Sequence, residues 1–152
     1  MFAATTTGAP KMKKINLILI LTVGALAAHA QLAVTVSPVK ITGQTAVVPL
    51  AIQNNLSEKV ESAKAVVFLT DEQGKMAGTA TRWVIGGTPD KSGLAAGATN
   101  AFNFVLKSDK PFMTTNLSAK VTFSRIVLEG GKLADVAKQV TVTPPAMIAP
   151  GP

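Results

Sequence analysis

The chain of 152 residues has no cysteine, no tyrosine, one tryptophan, six phenylalanines and a single histidine. Without cysteine there is no disulfide, no thiolate metal site and no lipid-attachment residue, so stability has to come from packing. His29 lies in a segment expected to be removed, which leaves the remaining chain without histidine as well. That excludes Ser-His-Asp and Cys-His nucleophile chemistry, and every zinc or copper arrangement built on those ligands. Phe and Trp together make up 5% of residues. The core must therefore be aliphatic, with Val, Ala, Leu and Ile supplying most of the apolar burial at roughly 25 cal/mol per Å².

Charged residues are scarce at 15%, against 47% hydrophobic, a balance that favours a packed core over disorder. The length suits one such core. The formal charge is +7, but Lys11, Lys13 and Lys14 fall ahead of Gln31, which leaves +4 for the rest. The remaining lysines are scattered and no aromatic residues alternate with them, so nucleic acid is not expected as a partner.

Lys13 and Lys14 precede the apolar run Ile15 to Leu26, and small residues follow as Ala27-Ala28-His29-Ala30. These are the charged, apolar and cleavage regions of a secretory signal peptide, with Ala28-x-Ala30 placing the cut before Gln31. The run is shorter than the roughly 20 residues that span hydrocarbon, so no stable membrane anchor is expected after cleavage. Met12 is a plausible true start. Residues 1–30 are accordingly read as upstream extension and signal peptide, 31–143 as one folded domain, and 144–152 as a Pro-rich tail. The expected location is the periplasm or the cell exterior.

Beyond Gln31 the apolar residues fall in short β-branched runs separated by Gly, Pro, Asn, Asp and Ser, and no helical period stands out. Strands are expected near Leu32–Val39, Thr45–Gln53, Lys64–Thr70, Thr79–Ile85, Thr99–Lys107, Ala119–Leu128 and Leu133–Thr143. Asp71-Glu72-Gln73-Gly74 and Glu129-Gly130-Gly131-Lys132 carry turn chemistry. Asn54-Asn55-Leu56-Ser57 reads as a crossing between sheets, and Gly86–Gly97 as a flexible loop. Val48, Leu50 and Ile52 share a strand face, as do Phe102, Phe104 and Leu106. Val121 and Phe123 begin a face that Ile126 and Leu128 continue on the other parity, so a bulge is expected near Ser124 or Arg125. The fold class is all-β: an immunoglobulin-like sandwich of about seven antiparallel strands, preceded by the signal segment.

Four stretches, Val34 to Val39, Val47 to Asn55, Val66 to Lys75, and Gly93 to Gly97 ahead of Phe102-Asn103-Phe104, together resemble bacterial secreted domains of the FxLYD type and related immunoglobulin-like modules. In those domains an Asn follows the second strand, a D-x-x-G hairpin follows the third, and an L-x-x-G turn leads into an aromatic strand. The L-Y-D signature itself is absent here. The resemblance implies a sandwich and no particular activity.

No catalytic, metal or cofactor residue is assigned. Ser37-Pro38-Val39-Lys40 matches S-x-x-K, but on an expected strand and without the companion motifs. Carboxylate pairs about 5 to 9.5 Å apart could serve a hydrolase; Glu58, Glu61, Asp71, Glu72, Asp90, Asp109, Glu129 and Asp135 fall mostly in turns, where a solvated role is expected. Asp71, Glu72 and Asp90 lack a D-x-D-x-D-G calcium loop. Trp83, beside the Gly-rich loop, reads first as a core or core-edge anchor and second as a stacking platform for a ligand. Partner-binding residues are expected on the loop and beside it: Thr88, Asp90, Lys91, Ser92 and Trp83. The reading is an exported, non-enzymatic module that binds a protein or cell-envelope component; the alternatives are a small carboxylate-dependent hydrolase, or a pilus-type chaperone or subunit working by strand addition.

Overall fold

The computed structural model describes residues 31–145. The expectations for the signal segment, including Met12, Ala28 and Ala30, and for most of the Pro-rich tail lie outside that range. The described chain forms an all-β sandwich in which β1 (Leu32–Val36), β2 (Lys40–Thr42), β3 (Thr45–Asn54), β6 (Thr99–Lys107) and β8 (Val140–Thr143) make one sheet. β5 (Met76–Ile85), β4 (Val60–Thr70) and β7 (Ser118–Leu128) make the other, with β4 in the middle. No helix among the described residues is long and apolar enough to cross a membrane.

The first expected strand is broken in two. β1 pairs with Leu50–Asn54 and β2 with Thr45–Val47, along the same edge of β3, while β6 takes the other edge. The Pro49 carbonyl accepts from Ser37 N–H at 2.9 Å, so the side of Pro49 that lacks a donor faces this gap. Pro38 lies across it. Two residues without N–H groups meet where the ladder would have to continue, and it stops.

The last expected strand departs further. After the Gly130-Gly131 turn, residues 132–134 are held to β7 by the Leu128 N–H donating to the Lys132 carbonyl at 2.7 Å, the bridge between Val127 and Leu133 and the Ala134 N–H to Ile126 carbonyl bond at 3.0 Å, and no strand forms there. A single helical turn, α1 (Val136–Gln139), follows, capped by the Asp135 carboxylate accepting from Ala137 N–H at 3.2 Å. The chain then crosses to the other sheet, where β8 runs parallel to β1. Strand Leu133–Thr143 is thus reduced to four residues, the count of strands is eight, and one pairing is parallel rather than antiparallel. As a result β7 has β4 on one side and, among the described residues, no strand on the other.

The expected bulge is present. Lys64 pairs with Arg125 and Ala65 with Phe123, so Ser124 is the extra residue, and it lets Val121, Phe123, Ile126 and Leu128 all point inward. The Asp71–Gly74 turn forms its hairpin as expected: Asp71 accepts from Gln73 and Lys75 N–H groups at 3.0 and 2.8 Å, and Gly74 takes φ 77°. Glu129–Lys132 also reverses the chain, with Leu128 N–H donating to the Lys132 carbonyl at 2.7 Å, but the strand expected to complete a hairpin with β7 joins the other sheet instead. Val34, Val48, Ile52 and Phe104 from one sheet meet Ala65, Val67, Leu69 and Ile126 from the other in a dry aliphatic core. Phe104 is its largest fully buried side chain.

Candidate functional site

The segment between β5 and β6 leaves the sandwich at Ile85 and is steered by two glycines. A Cβ on Gly86 would lie 2.0 Å from the Glu61 carbonyl oxygen, and one on Gly87 would lie 2.2 Å from the Trp83 ring. Both also have positive φ, so only glycine lets the chain turn here. Thr88-Pro89-Asp90-Lys91 then closes a turn, with Lys91 N–H donating to the Thr88 carbonyl at 3.1 Å. The Gly86 N–H donates to the Ser92 carbonyl at 3.3 Å.

The second half of the segment is tied to the body of the protein. Leu94 and Val60 exchange backbone bonds of 2.8 and 2.9 Å, and Leu94 is buried. Asn54, completely buried, donates its amide to the carbonyls of Leu94, Ala95 and Glu58 and accepts from Leu56 N–H. Its own carbonyl accepts from Gly97 N–H at 2.7 Å. The flexible loop expected from glycine content is instead a pinned segment carrying one projecting turn. Asn54 is the residue that sequence reasoning missed as an organiser; an Asn closing a strand ahead of an L-x-x-G turn was its visible trace.

Beside the projecting turn lies a shallow cleft of about 200 Å³, lined by Val84, Asp90, Lys91, Ser92, Asn100 and Phe102. The structure therefore brings Asp90, Lys91 and Ser92 together there. The Thr88 hydroxyl and the Asp90 backbone N–H, with the Lys91 charge, hold the exposed Asp90 carboxyl below the usual range for aspartic acid. Lys91 is less free than the sequence suggested: its ammonium donates to the Trp83 carbonyl at 2.8 Å and sits 4.9 Å from the Phe102 ring centroid.

Trp83 is placed differently from the core or core-edge anchor expected of it. It is half-buried, stands outside the hydrophobic cluster, and lies on the outer face of the three-stranded sheet opposite Lys64, whose ammonium is 5.4 Å from the ring centroid. The bulge between Ala63 and Lys64 brings this about: Ile85 pairs with Ala63 and points inward, and Trp83 pairs with Lys64 and points out. Its contribution to the cleft is a carbonyl, and Gly87 lies against the indole.

The carboxylates are distributed among local tasks. Glu58 pairs with Lys132 at 2.8 Å, Glu61 accepts from Gly130 N–H at 3.3 Å, Glu72 accepts from the Asn116 amide at 2.8 Å, and Asp71 and Asp135 shape a turn and a cap. Among the described residues no three His, Cys, Asp or Glu side chains group as metal ligands.

No family model matches the chain. No curated protein matches it either. Among solved structures it is similar to one described as an ApaA protein from Bordetella pertussis, at 18% identity and a TM-score of 0.44, over 65% of this chain and 88% of that one. A likeness of that degree says nothing of activity or partner.

Proposed function

We propose that this chain is an exported, non-enzymatic sandwich module that engages a protein or envelope component through the Thr88–Ser92 turn and the cleft beside it. Export rests on the charged, apolar and A-x-A regions of residues 13–30. The observation that carries the binding role is a preorganised turn, closed by the Lys91 N–H to Thr88 carbonyl and Gly86 N–H to Ser92 carbonyl bonds, projecting from a segment that Asn54 ties to both sheets. A loop held rigid from behind presents polar groups at little entropic cost. Capture from envelope extract tests the reading. Asp90→Ala with Ser92→Ala, which leave the backbone bonds of the loop in place, should lose the partner and keep the fold. Unchanged capture would remove the turn as the contact.

A second reading, strand addition, is favoured by one feature: β8 joins the other sheet and leaves the far side of β7 without a strand. Edge donors and acceptors of this kind take extended peptides in antiparallel register. Slowed hydrogen exchange at Ser118–Phe123 on adding the partner, with the Thr88–Ser92 turn unaffected, would favour this reading over the first.

A further inference from the structure

The outer face of the three-stranded sheet is unusual in charge. Reading across the strands, the register sets Trp83, Lys64 and Arg125 in one row, Thr81, Val66 and Thr122 in the next, then Thr79, Phe68 and Lys120. Core-facing residues alternate with these, and neither Val66, Phe68 nor Trp83 packs against the core. Each is only half-buried, and Trp83 has Gly87 against its ring and the Lys64 ammonium beside it. The face carries three cations and no acid. The ion pairs among the described residues join Lys132 to Glu58 and Lys138 to Asp135, so Lys64, Lys120 and Arg125 are without one.

Lys64 and Arg125 are direct cross-strand partners. Like charges at that position destabilise a sheet, and an acid at either position would relieve the repulsion. The acids of the described chain lie instead in turns and at strand ends. The outer face of the other sheet differs: Thr35, Ala51, Ala101 and Thr143 form a row of small neutral residues, and its cations Lys40 and Lys107 have no aromatic neighbour across the ladder.

We propose that the face formed by Lys64, Val66, Phe68, Trp83, Lys120 and Arg125 docks the protein onto an anionic lipid surface. The cations meet phosphate-bearing headgroups, and the apolar residues between them lie against the headgroup layer, where an indole is well accommodated. Charge complementarity selects an anionic occupant. The apolar centre of the face selects a surface over an extended polyanion, which would cover the cations and leave Val66 and Phe68 in water. A sugar would need a free indole face, and Gly87 lies against this one. The inference is independent of the loop reading, since none of its residues lies in the Thr88–Ser92 turn.

Because Trp83 is the only tryptophan, its emission reports on the face directly. Residues 31–152 should co-sediment with vesicles of phosphatidylglycerol and phosphatidylcholine, with a blue shift of Trp83 emission, and not with phosphatidylcholine alone. Lys120→Gln with Arg125→Gln should weaken binding about 25-fold, roughly fivefold per cation. Arg125→Gln alone should raise the thermal midpoint while lowering affinity, a combination that a merely structural arginine would not show. Lys40→Gln with Lys107→Gln should leave binding unchanged. Absence of binding to the anionic vesicles overturns the proposal, as does equal loss with the Lys40 and Lys107 pair. Binding to soluble dextran sulfate that displaces the vesicles without any emission shift would assign the face to a polyanion instead.

Discussion

The side-chain amide of Asn54 donates to the carbonyl of Leu94, 40 residues along the chain, at 3.1 Å, and this bond joins the crossing between the sheets to the segment that carries the candidate site. The same amide reaches Glu58 and Ala95 carbonyls at 2.9 and 3.2 Å, and its oxygen accepts from Leu56 N–H at 3.0 Å. Inside the protein such a network is strong when complete and expensive when one member is lost.

Asn54→Ala should therefore destabilise by about 3 kcal/mol, since it strands buried backbone groups at several positions. Asn54→Asp should be no milder, because a carboxylate cannot donate to three carbonyls. Urea unfolding followed by circular dichroism checks both: the midpoint should fall with the slope unchanged.

Gly87→Ala should cost about 1 to 2 kcal/mol for its left-handed backbone, before the collision with the Trp83 ring is added. Trp83→Ala should be milder than the roughly 3 to 5 kcal/mol typical of a core aromatic, because the ring stands outside the core. In the double variant the collision is gone and only the backbone strain remains, so the two effects should not add. Thermal unfolding of the four proteins measures this coupling.

Phe104→Ala should reach the full core range of about 3 to 5 kcal/mol, since the ring is completely buried between the sheets. Phe102, half-buried and edge-on to Phe104 with centroids 6.1 Å apart, should tolerate Leu with a smaller loss. Parallel denaturation curves would rank the two positions.

The carboxyl of Asp90 should titrate below the ordinary aspartate range, and Thr88→Val should move its midpoint upward by removing the largest cause of the depression. The folded value is depressed, so whatever stability the ionised group lends is present above the unfolded value and is lost as pH falls through the folded one. Carbon-detected NMR titration of the carboxyl reads the midpoint directly. An unchanged midpoint in the Thr88→Val protein would show that the hydroxyl does not orient the carboxylate.

Much of the architecture was legible in the residues alone. Alternation in Val48, Leu50 and Ile52 marks a buried face, and the parity break after Phe123 calls for the bulge found at Ser124. Asp71 and Gly74 specify their turn through local bonds, which depend on neighbours in the chain and so are readable from it. The composition of the Gly86–Gly97 segment marked it as a loop between two strands, although glycine count suggested mobility where the fold imposes order.

What sequence by itself determined about this protein is therefore periodicity and turn chemistry: an aliphatic all-β sandwich, its inward faces, the Asp71–Gly74 hairpin and the bulge at Ser124. Only the tertiary structure decided which sheet the last strand joins, because the hydrophobic alternation of Val140–Thr143 is satisfied equally beside β1 or β7 and the choice depends on the cap at Asp135 and the crossing it starts. The fate of Trp83 was decided in the same way. A single skipped residue between Ala63 and Lys64 reverses which side of the sheet it occupies, and no local pattern in β5 records a shift that exists only in its pairing with β4. The unbalanced cations belong to this second class too: Lys120 and Arg125 lie on β7 and Lys64 far from them in the chain on β4, and it is the strand register with the bulge at Ser124 that sets all three on one face.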